Sequence, residues 1–264
     1  MKRLVFLVSL LAALALVATA SAGPSGGYDA TPKKLPPNVP SVGYQATQTS
    51  EFGDYVHLDG KKRKLDSVTV IMSDWARYSE YTSDARYSGD SKRWTHPITV
   101  NIYSNHLDGN GVPDQLLVSL PETVKIPWRP EGDPTCPDTG YGPGFAWRAK
   151  DGLCYNGFAF RATFEAKKLK VNLPADVIVG IAYNTQSYGA VPIGINGPYN
   201  SLNVAVPANQ PVSRGSDDNT DAVFWNTSTA NNYTDGGSGG VGTFRQDTNW
   251  TPNGTVAMQV KTSG

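Results

Sequence analysis

The sequence predicts an all-β protein, built as a two-sheet antiparallel β-sandwich of jelly-roll-like form. Three observations support this prediction. Glycine and proline are abundant, with 27 and 19 residues in a chain of 264. Short runs of alternating apolar and polar residues recur along the chain, and no segment keeps an apolar period of 3.6 residues. Short strands separated by Gly/Pro turns are typical of sandwiches, and without visible repeats a propeller or solenoid is not expected.

The first 22 residues have the three parts of a secretory signal peptide. A basic start, Met1-Lys2-Arg3, is followed by the apolar run from Leu4 to Val17 and by the small residues Ala20-Ser21-Ala22. The apolar run is short for a membrane span and no stop-transfer cluster follows it, although a signal anchor is the alternative interpretation. We therefore expect cleavage after residue 22 and a secreted, extracellular protein without a transmembrane segment.

Residues 23–43 contain five prolines among Gly, Ser and Lys residues. This composition predicts an extended spacer with polyproline character rather than a packed element. The β-sandwich domain is then expected over residues 44–264, which is long enough to bury a core without further support.

Alternation of apolar and polar residues marks the strands of this domain. The clearest alternation places Phe158, Phe160 and Phe164 on one face, whereas residues 177–182 are apolar on both faces, as in a strand that is buried on both sides. The dipeptide Asp59-Gly60 indicates a hairpin-like junction between the first two runs. The predicted strands are 54–58, 65–75, 98–103, 116–126, 158–164, 177–184, 202–206, 222–226, 243–248 and 256–260.

The long irregular stretch 127–156 contains both cysteines of the chain, Cys136 and Cys154. An even number of cysteines in an exported protein predicts a disulfide, which here closes a loop of about 18 residues and contributes roughly 3 kcal/mol. A zinc site would need further Cys or nearby His ligands, and a redox pair would need a C-x-x-C spacing. We therefore predict a structural Cys136–Cys154 disulfide that ties this loop.

Several strings of residues resemble those of one family. They are Lys64-Leu65-Asp66-Ser67-Val68-Thr69-Val70, Ser73-Asp74-Trp75-Ala76, Ile126-Pro127-Trp128-Arg129-Pro130, Asp133-Pro134-Thr135-Cys136, Asp151-Gly152-Leu153-Cys154-Tyr155-Asn156-Gly157-Phe158-Ala159-Phe160, Gly180-Ile181-Ala182-Tyr183-Asn184-Thr185, Gly197-Pro198-Tyr199-Asn200-Ser201-Leu202-Asn203 and Val223-Phe224-Trp225-Asn226-Thr227-Ser228. Together they resemble an uncharacterised family of exported bacterial single-domain β-sandwich proteins, some of which carry C-terminal sorting anchors. The resemblance covers about residues 44–260 and implies a single domain, but it assigns no catalytic residues.

This chain differs from the anchored members of that family at its C-terminus. It ends at Thr262-Ser263-Gly264, without an apolar tail or a sorting motif, and no cysteine stands at the predicted cleavage site to take a lipid. Free secretion is therefore the expectation.

The balanced charge and the lack of catalytic motifs in the sequence argue against several functions. Acidic and basic residues balance at 23 each, and the mature chain carries about two net negative charges, so no footprint for nucleic acid or an anionic membrane is present. The three histidines, His57, His96 and His106, share no metal-ligand spacing, and no serine is framed by a recognisable acid/base context. The glutamates are scattered singly, unlike the carboxylate pair of a glycosidase. No catalytic residue is therefore predicted.

Aromatic residues suggest a ligand surface, since the chain has 13 Tyr and 6 Trp. Three tyrosines stand among Ser, Asp, Arg and Gly in a polar loop, and exposed rings of this kind stack on the C–H faces of sugars. The predicted ligand-binding residues are Tyr78, Tyr81, Tyr87 and Trp94. Structural packing is the alternative for this set. Trp75 and Trp225 end or occupy apolar runs and are predicted to be core residues.

The segment 108–114, Asp-Gly-Asn-Gly-Val-Pro-Asp, suggests a calcium site. Ca²⁺ prefers six to eight oxygen ligands, and the hypothesis is that Asp108, Asn110 and Asp114 hold it. The segment lacks the distal bidentate Glu of an EF-hand, and Asp-Gly and Asn-Gly are also ordinary turn residues. A second acidic string, Asp217-Asp218-Asn219 with Asp221, has the same two interpretations.

These observations predict a secreted, non-catalytic protein that binds a glycan or another cell-surface polymer. A structural or matrix-type surface protein without a small ligand is the first alternative, and a secreted hydrolase acting on polysaccharide is the second. Calcium is the one cofactor suggested, and the sequence does not indicate the oligomeric state.

Overall fold

The computed structural model describes residues 26–264, so the predicted signal peptide lies outside the described residues. Two antiparallel sheets of six strands each pack face to face, which confirms the predicted β-sandwich. The strands are β1 (Gly27–Asp29), β2 (Ser41–Gly43), β3 (Thr49–His57), β4 (Lys64–Asp74), β5 (Arg93–Ser104), β6 (Leu116–Pro127), β7 (Trp147–Arg148), β8 (Cys154–Tyr155), β9 (Phe158–Glu165), β10 (Asp176–Ala182), β11 (Leu202–Ala205), β12 (Val223–Thr227), β13 (Arg245–Asp247) and β14 (Met258–Ser263). Short 3-10 turns occupy Tyr78–Glu80, Lys167–Leu169, Pro198–Ser201 and Ala230–Asn232.

The strand order divides the chain between a first and a second sheet. In the first sheet, the order is β1-β14-β4-β11-β2, and β9 also pairs with β4. In the second sheet, the order is β13-β12-β3-β10-β5-β6, while β7 and β8 form a small hairpin of their own. β3 and β4 lie in different sheets, so the prediction of a hairpin-like junction at Asp59-Gly60 is wrong. The chain crosses here from one sheet to the other, so that both strands turn their apolar side to the same core.

One core fills the space between the sheets. Val68, Val70 and Met72 of β4 belong to the same buried cluster as the inward-facing residues of β5 and β10. β10 is buried on its outer face as well, since Ile178 packs with Phe224 and Phe244 in a separate cluster. The prediction that 177–182 is buried on both faces is therefore confirmed.

Residues 26–43 are part of the packed domain, so the prediction of a spacer over residues 23–43 is wrong for its described part. Leu35 and Val39 pack on the outer face of the first sheet. The covered residues there are Ile71, Ala159, Ala205 and Ala257. Proline carbonyls still accept hydrogen bonds, and Pro37 O and Pro40 O accept from the Ala159 and Val206 amides at 2.9 and 3.0 Å. We call residues 30–40 the proline strap; small alanines beneath it leave the space that it fills.

The disulfide prediction is confirmed, because Cys136 and Cys154 are bonded. The disulfide ties the long segment between β6 and β9, which also contains the β7–β8 hairpin. Arg148 adds an ion pair to Asp133 at 3.0 Å in the same segment.

Over residues 26–264, no helix has both the length and the apolar character needed to cross a membrane.

Candidate functional site

An open cleft lies where the edge of the first sheet meets the disulfide-tied segment. Its volume is about 500 Å³. Three aromatic rings line it, those of Trp75, Tyr141 and Phe145. The polar side chains of the lining are Ser41, Thr47, Glu80, Asn200, Ser201 and Asn203. We call this site the aromatic cleft.

Trp75 is fixed in place by its contacts with Ser73 and Gly157. It follows directly after β4, and its indole N–H donates to Ser73 Oγ at 3.1 Å. Ser73 in turn donates to Asn38 Oδ1 of the proline strap at 2.7 Å. A Cβ at Gly157 would lie 2.3 Å from Trp75 Nε1, so the indole packs directly against the backbone there. Trp75 is half-buried and lines the cleft, so its prediction as a core residue is wrong.

Tyr141 stands on a glycine-rich turn, Gly140 to Gly144, which closes back on itself. Asp138 Oδ1 accepts from the Gly140 and Gly142 amides at 2.8 and 3.0 Å. Both glycines have positive φ angles, +91° and +96°, which other residues rarely adopt. Because its neighbours in the chain carry no side chains, the Tyr141 ring is 58% exposed.

The three rings form a corner rather than a flat platform. Tyr141 stacks on Phe145, with centroids 5.0 Å apart and planes 26° apart. Trp75 meets Tyr141 edge-on, at 5.3 Å and 80°. The face of one of the two perpendicular rings, Trp75 or Tyr141, can therefore pack against a flat apolar surface of a ligand. The other ring then lies beside that ligand.

Two guanidinium groups lie behind the cleft wall. Arg129 Cζ lies 4.4 Å and Arg77 Cζ 5.6 Å from the Phe145 ring centroid. Burial lowers the pKa of Arg129 to about 10. Arg129 Nε donates to Trp75 O at 2.8 Å, whereas Nη2 has no hydrogen-bond partner within the described residues. Arg77 is paired with Glu80 at 2.6 Å, so Glu80, the carboxylate among the lining residues, is already ion-paired.

The aromatic residues predicted to bind ligand gather at a different place, around Trp128. Tyr81 stacks on Trp128 at 5.6 Å, and Tyr78, Tyr87 and Trp94 each have ring centroids within 6.4 Å of it. The three tyrosines are half-buried against the core, while Trp94 is 3% exposed. We call these five residues the Trp128 cluster. Surface clefts of about 420 and 630 Å³ adjoin Tyr81, Tyr87 and Trp94, so the predicted ligand role of the set stays a prediction.

A buried carboxyl group, that of Asp74, is connected to a residue of each aromatic group. Asp74 is the last residue of β4, next to Trp75, and its Oδ2 accepts from Trp94 Nε1 at 3.0 Å. Its Oδ1 accepts from the Ala76 amide at 3.1 Å. Burial raises the pKa of Asp74 to about 8, against the lowering effect of these two donors. The carboxyl group therefore holds a proton at neutral pH.

The segment predicted to bind calcium forms a hydrogen-bonded turn. Asp108 Oδ1 accepts from the Asn110 and Val112 amides at 2.8 and 3.0 Å, and Asp114 Oδ1 accepts from the Ser104 hydroxyl at 2.7 Å. No group of three or more His, Cys, Asp or Glu side chains in residues 26–264 is arranged to hold a metal ion. The hydrogen bonds are those of the alternative interpretation, in which the aspartate caps its own turn. The calcium hypothesis stays a prediction.

The second acidic string places one carboxyl group in the interior. Asp217 is 9% exposed and accepts from Thr255 Oγ1 at 2.9 Å. Its charge raises the pKa of the fully buried Asp54, whose pKa burial already raises well above the ordinary value. Asp54 Oδ2 accepts from the Val256 amide at 2.9 Å, which ties β3 to the segment before β14. The hydrogen bonds from Thr255 and Val256 therefore give both buried carboxyl groups a structural role.

No family model, curated protein or solved structure matches this chain. The cleft must therefore be interpreted from its own residues.

Trp75, Tyr141 and Phe145 were not among the predicted ligand-binding residues. A signal for one of them is present in the string Gly-Tyr-Gly-Pro-Gly, because an aromatic residue between glycines has no neighbouring side chains to cover it.

Proposed function

We propose that the protein is an exported, non-catalytic binding module that holds a polysaccharide chain in the aromatic cleft. The observation that carries this proposal is the Tyr141 ring, 58% exposed and standing at 80° to Trp75. Exposed aromatic faces stack on the C–H faces of sugar rings. Hydroxyl and amide side chains beside the rings supply partners for sugar hydroxyl groups.

The shape of the cleft favours a polymer over a small enclosed ligand. The aromatic corner is open, since Tyr141 projects from the surface on its glycine turn. The rings are held by two separate supports, the Ser73–Asn38 contact for Trp75 and the disulfide-tied segment for Tyr141 and Phe145. A preformed and open site can accept one or two units of a long chain without ordering a loop.

Binding without hydrolysis fits the charges of the cleft better than catalysis. A glycosidase needs two carboxyl groups on either side of the scissile bond. Glu80 is the one carboxylate among the lining residues, and its Oε1 accepts from Arg77 Nε and Nη2 at 3.0 and 2.6 Å. Export is supported by the signal-like N-terminus and by the disulfide, which persists in oxidising compartments.

The test is retention of the purified protein on insoluble polysaccharides, with cellulose, xylan and chitin as the panel. We expect retention on at least one of them, and we expect Tyr141→Ala to weaken it about tenfold, since a stacked ring contributes roughly 1–1.5 kcal/mol. Leu153→Ala is the matched control, because Leu153 is 61% exposed in the same segment but does not line the cleft.

Tyr87→Ala separates the aromatic cleft from the ligand surface predicted from the sequence. Loss of retention in Tyr87→Ala with normal retention in Tyr141→Ala would assign binding to the Trp128 cluster instead. No retention of the wild-type protein on any polymer of the panel would contradict the proposal and favour a structural surface protein.

A further inference from the structure

A second cleft lies on the outer face of the second sheet, and about half of its lining is polar. Its volume is about 480 Å³. The side chains that matter for its chemistry are Ser50, Glu51, Thr99, Asn101, Asn226 and Ser228. It shares no lining residue with the aromatic cleft. We call it the Glu51 cleft.

The Glu51 side chain reaches across the neighbouring strand. In the register of β3 with β10, Glu51 lies opposite Ala182, and Gly180 lies two residues along, opposite Gly53. On its other side Gly180 lies opposite Asn101 of β5. A Cβ at Gly180 would lie only 2.2 Å from Glu51 Oε1. The carboxyl group therefore fills the space that a side chain at position 180 would take, and so reaches β5.

The partners of the carboxyl group are neutral. Asn101 Nδ2 donates to Oε1 at 2.9 Å, and the Tyr103 hydroxyl lies 3.0 Å from Oε1 and 3.2 Å from Oε2. No Lys, Arg or His in the described part of the chain forms an ion pair with Glu51. Glu51 is 9% exposed, and burial raises the pKa of its carboxyl group in spite of the two donors.

The lining of the cleft offers hydrogen-bonding groups but no positive charge. A carboxylate can accept about four hydrogen bonds, and an ion pair stabilises it most strongly when water is excluded. Thr99 and Asn226 are half-buried beside Glu51, and Ser228 is exposed at the rim. A ligand that carries one positive charge and several hydroxyl groups would therefore match both the Glu51 carboxylate and the hydroxyl and amide side chains of the lining.

We propose that the Glu51 cleft binds an amino sugar, with its primary ammonium group on the Glu51 carboxylate and its hydroxyl groups on the surrounding hydroxyl and amide side chains. The ammonium group supplies both the missing positive charge and up to three donors. A neutral sugar would supply donors but would leave the carboxylate without a counter-charge. A lysine side chain has an ammonium group with the same charge, but it has no hydroxyl groups to form hydrogen bonds with the lining.

The test is a calorimetric titration of the purified protein with the glucosamine tetramer and, separately, with the N-acetylglucosamine tetramer. The two ligands differ in charge but share their ring hydroxyl groups. We expect the wild-type protein to bind the glucosamine tetramer at least tenfold more tightly. Glu51→Gln keeps the size and the acceptor oxygen but removes the charge, and we expect it to abolish this preference. Glu122→Gln, at an exposed position of β6, is the matched control and should keep it.

A second variant tests the site without removing the carboxylate. Asn226 of β12 lies directly opposite Glu51 in the register of β12 with β3. Side chains in opposed positions approach closely enough to form an ion pair. We therefore expect Asn226→Lys to supply an internal ammonium group and to abolish the preference for the glucosamine tetramer.

Several outcomes would overturn the proposal. These are equal or no binding of the two tetramers by the wild-type protein, a preference that survives in both variants, or binding of poly-L-lysine but of neither tetramer. Tyr141→Ala separates this site from the aromatic cleft, since the preference for the glucosamine tetramer should persist in that variant whether or not the cleft binds polysaccharide.

Discussion

The aromatic cleft and the Trp128 cluster are both groups of aromatic side chains beside β4, yet they present their rings differently. In the Trp128 cluster, the tyrosines turn their faces and edges towards Trp128, which is 7% exposed. In the aromatic cleft, the outermost ring, Tyr141, has no ring on its outer side and is 58% exposed. The Trp128 cluster has five rings and the aromatic cleft three, and the two groups also differ in the backbone that carries them. A glycine turn projects a ring, whereas a loop that folds back on a tryptophan buries one.

This comparison predicts that the two groups differ most in their effect on stability. Trp128→Ala removes the ring on which four others pack, so we expect a loss of about 3–5 kcal/mol in the free energy of unfolding. Tyr141→Ala removes an exposed ring, and we expect a change within about 0.5 kcal/mol. Urea unfolding followed by tryptophan fluorescence measures both values. Equal losses in the two variants would show that the cleft is part of the stabilising core, contrary to the comparison.

The disulfide should matter for the aromatic cleft more than for the Trp128 cluster. It closes the segment that carries Tyr141 and Phe145, and its two cysteines are 18 positions apart in the sequence. We expect the double variant Cys136→Ser, Cys154→Ser to lose about 3 kcal/mol in stability and to bind polysaccharide more weakly. Thermal unfolding and retention on the polymer check the two effects. Normal retention at a temperature where the double variant is fully folded would show that the ring positions do not need the disulfide.

The sequence predicted the regular parts of this molecule because their signals are local. Alternating residues such as Phe158, Phe160 and Phe164 are sufficient to indicate β9, and the apolar run in β10 indicates burial on both faces. The proline strap was predicted as a spacer, because a Pro-rich composition does not reveal that small residues elsewhere, such as Ala159 and Ala205, leave a surface for it.

The candidate sites depend on contacts between residues that are far apart in the chain. The position of Trp75 follows from Gly157 and Asn38, neither of which marks it as a cleft residue in the sequence. Glu51 is placed by Gly180, a glycine in a different strand, which no spacing rule relates to it. Exposure and counter-charge are properties of such distant contacts, so the local sequence pattern does not locate either cleft.

Asp74 links the two aromatic groups and gives the last prediction, which concerns pH. Its carboxyl group accepts from Trp94 Nε1, and burial raises its pKa to about 8, whereas in the unfolded chain it ionises near 4. The folded state therefore keeps a proton that the unfolded state has lost, so this group's contribution to stability falls as pH rises between those two values.

The expected size of this fall is roughly 2 kcal/mol between pH 6 and pH 8. The side chain of Asp74→Asn cannot ionise, so we expect this variant to lose that part of the pH dependence. Its amide nitrogen replaces one of the two oxygens that accept hydrogen bonds, so we also expect a lower stability at every pH. Other groups still contribute in that variant, with opposite signs: Asp54, whose carboxyl pKa burial raises well above its ordinary value, and His96, whose pKa burial lowers to about 4. Urea unfolding at pH 6, 7 and 8 gives the slope for each protein. If the two slopes were equal, Asp74 would be ionised in the folded protein, and the Trp94 indole would be bonded to a charged rather than a protonated carboxyl group.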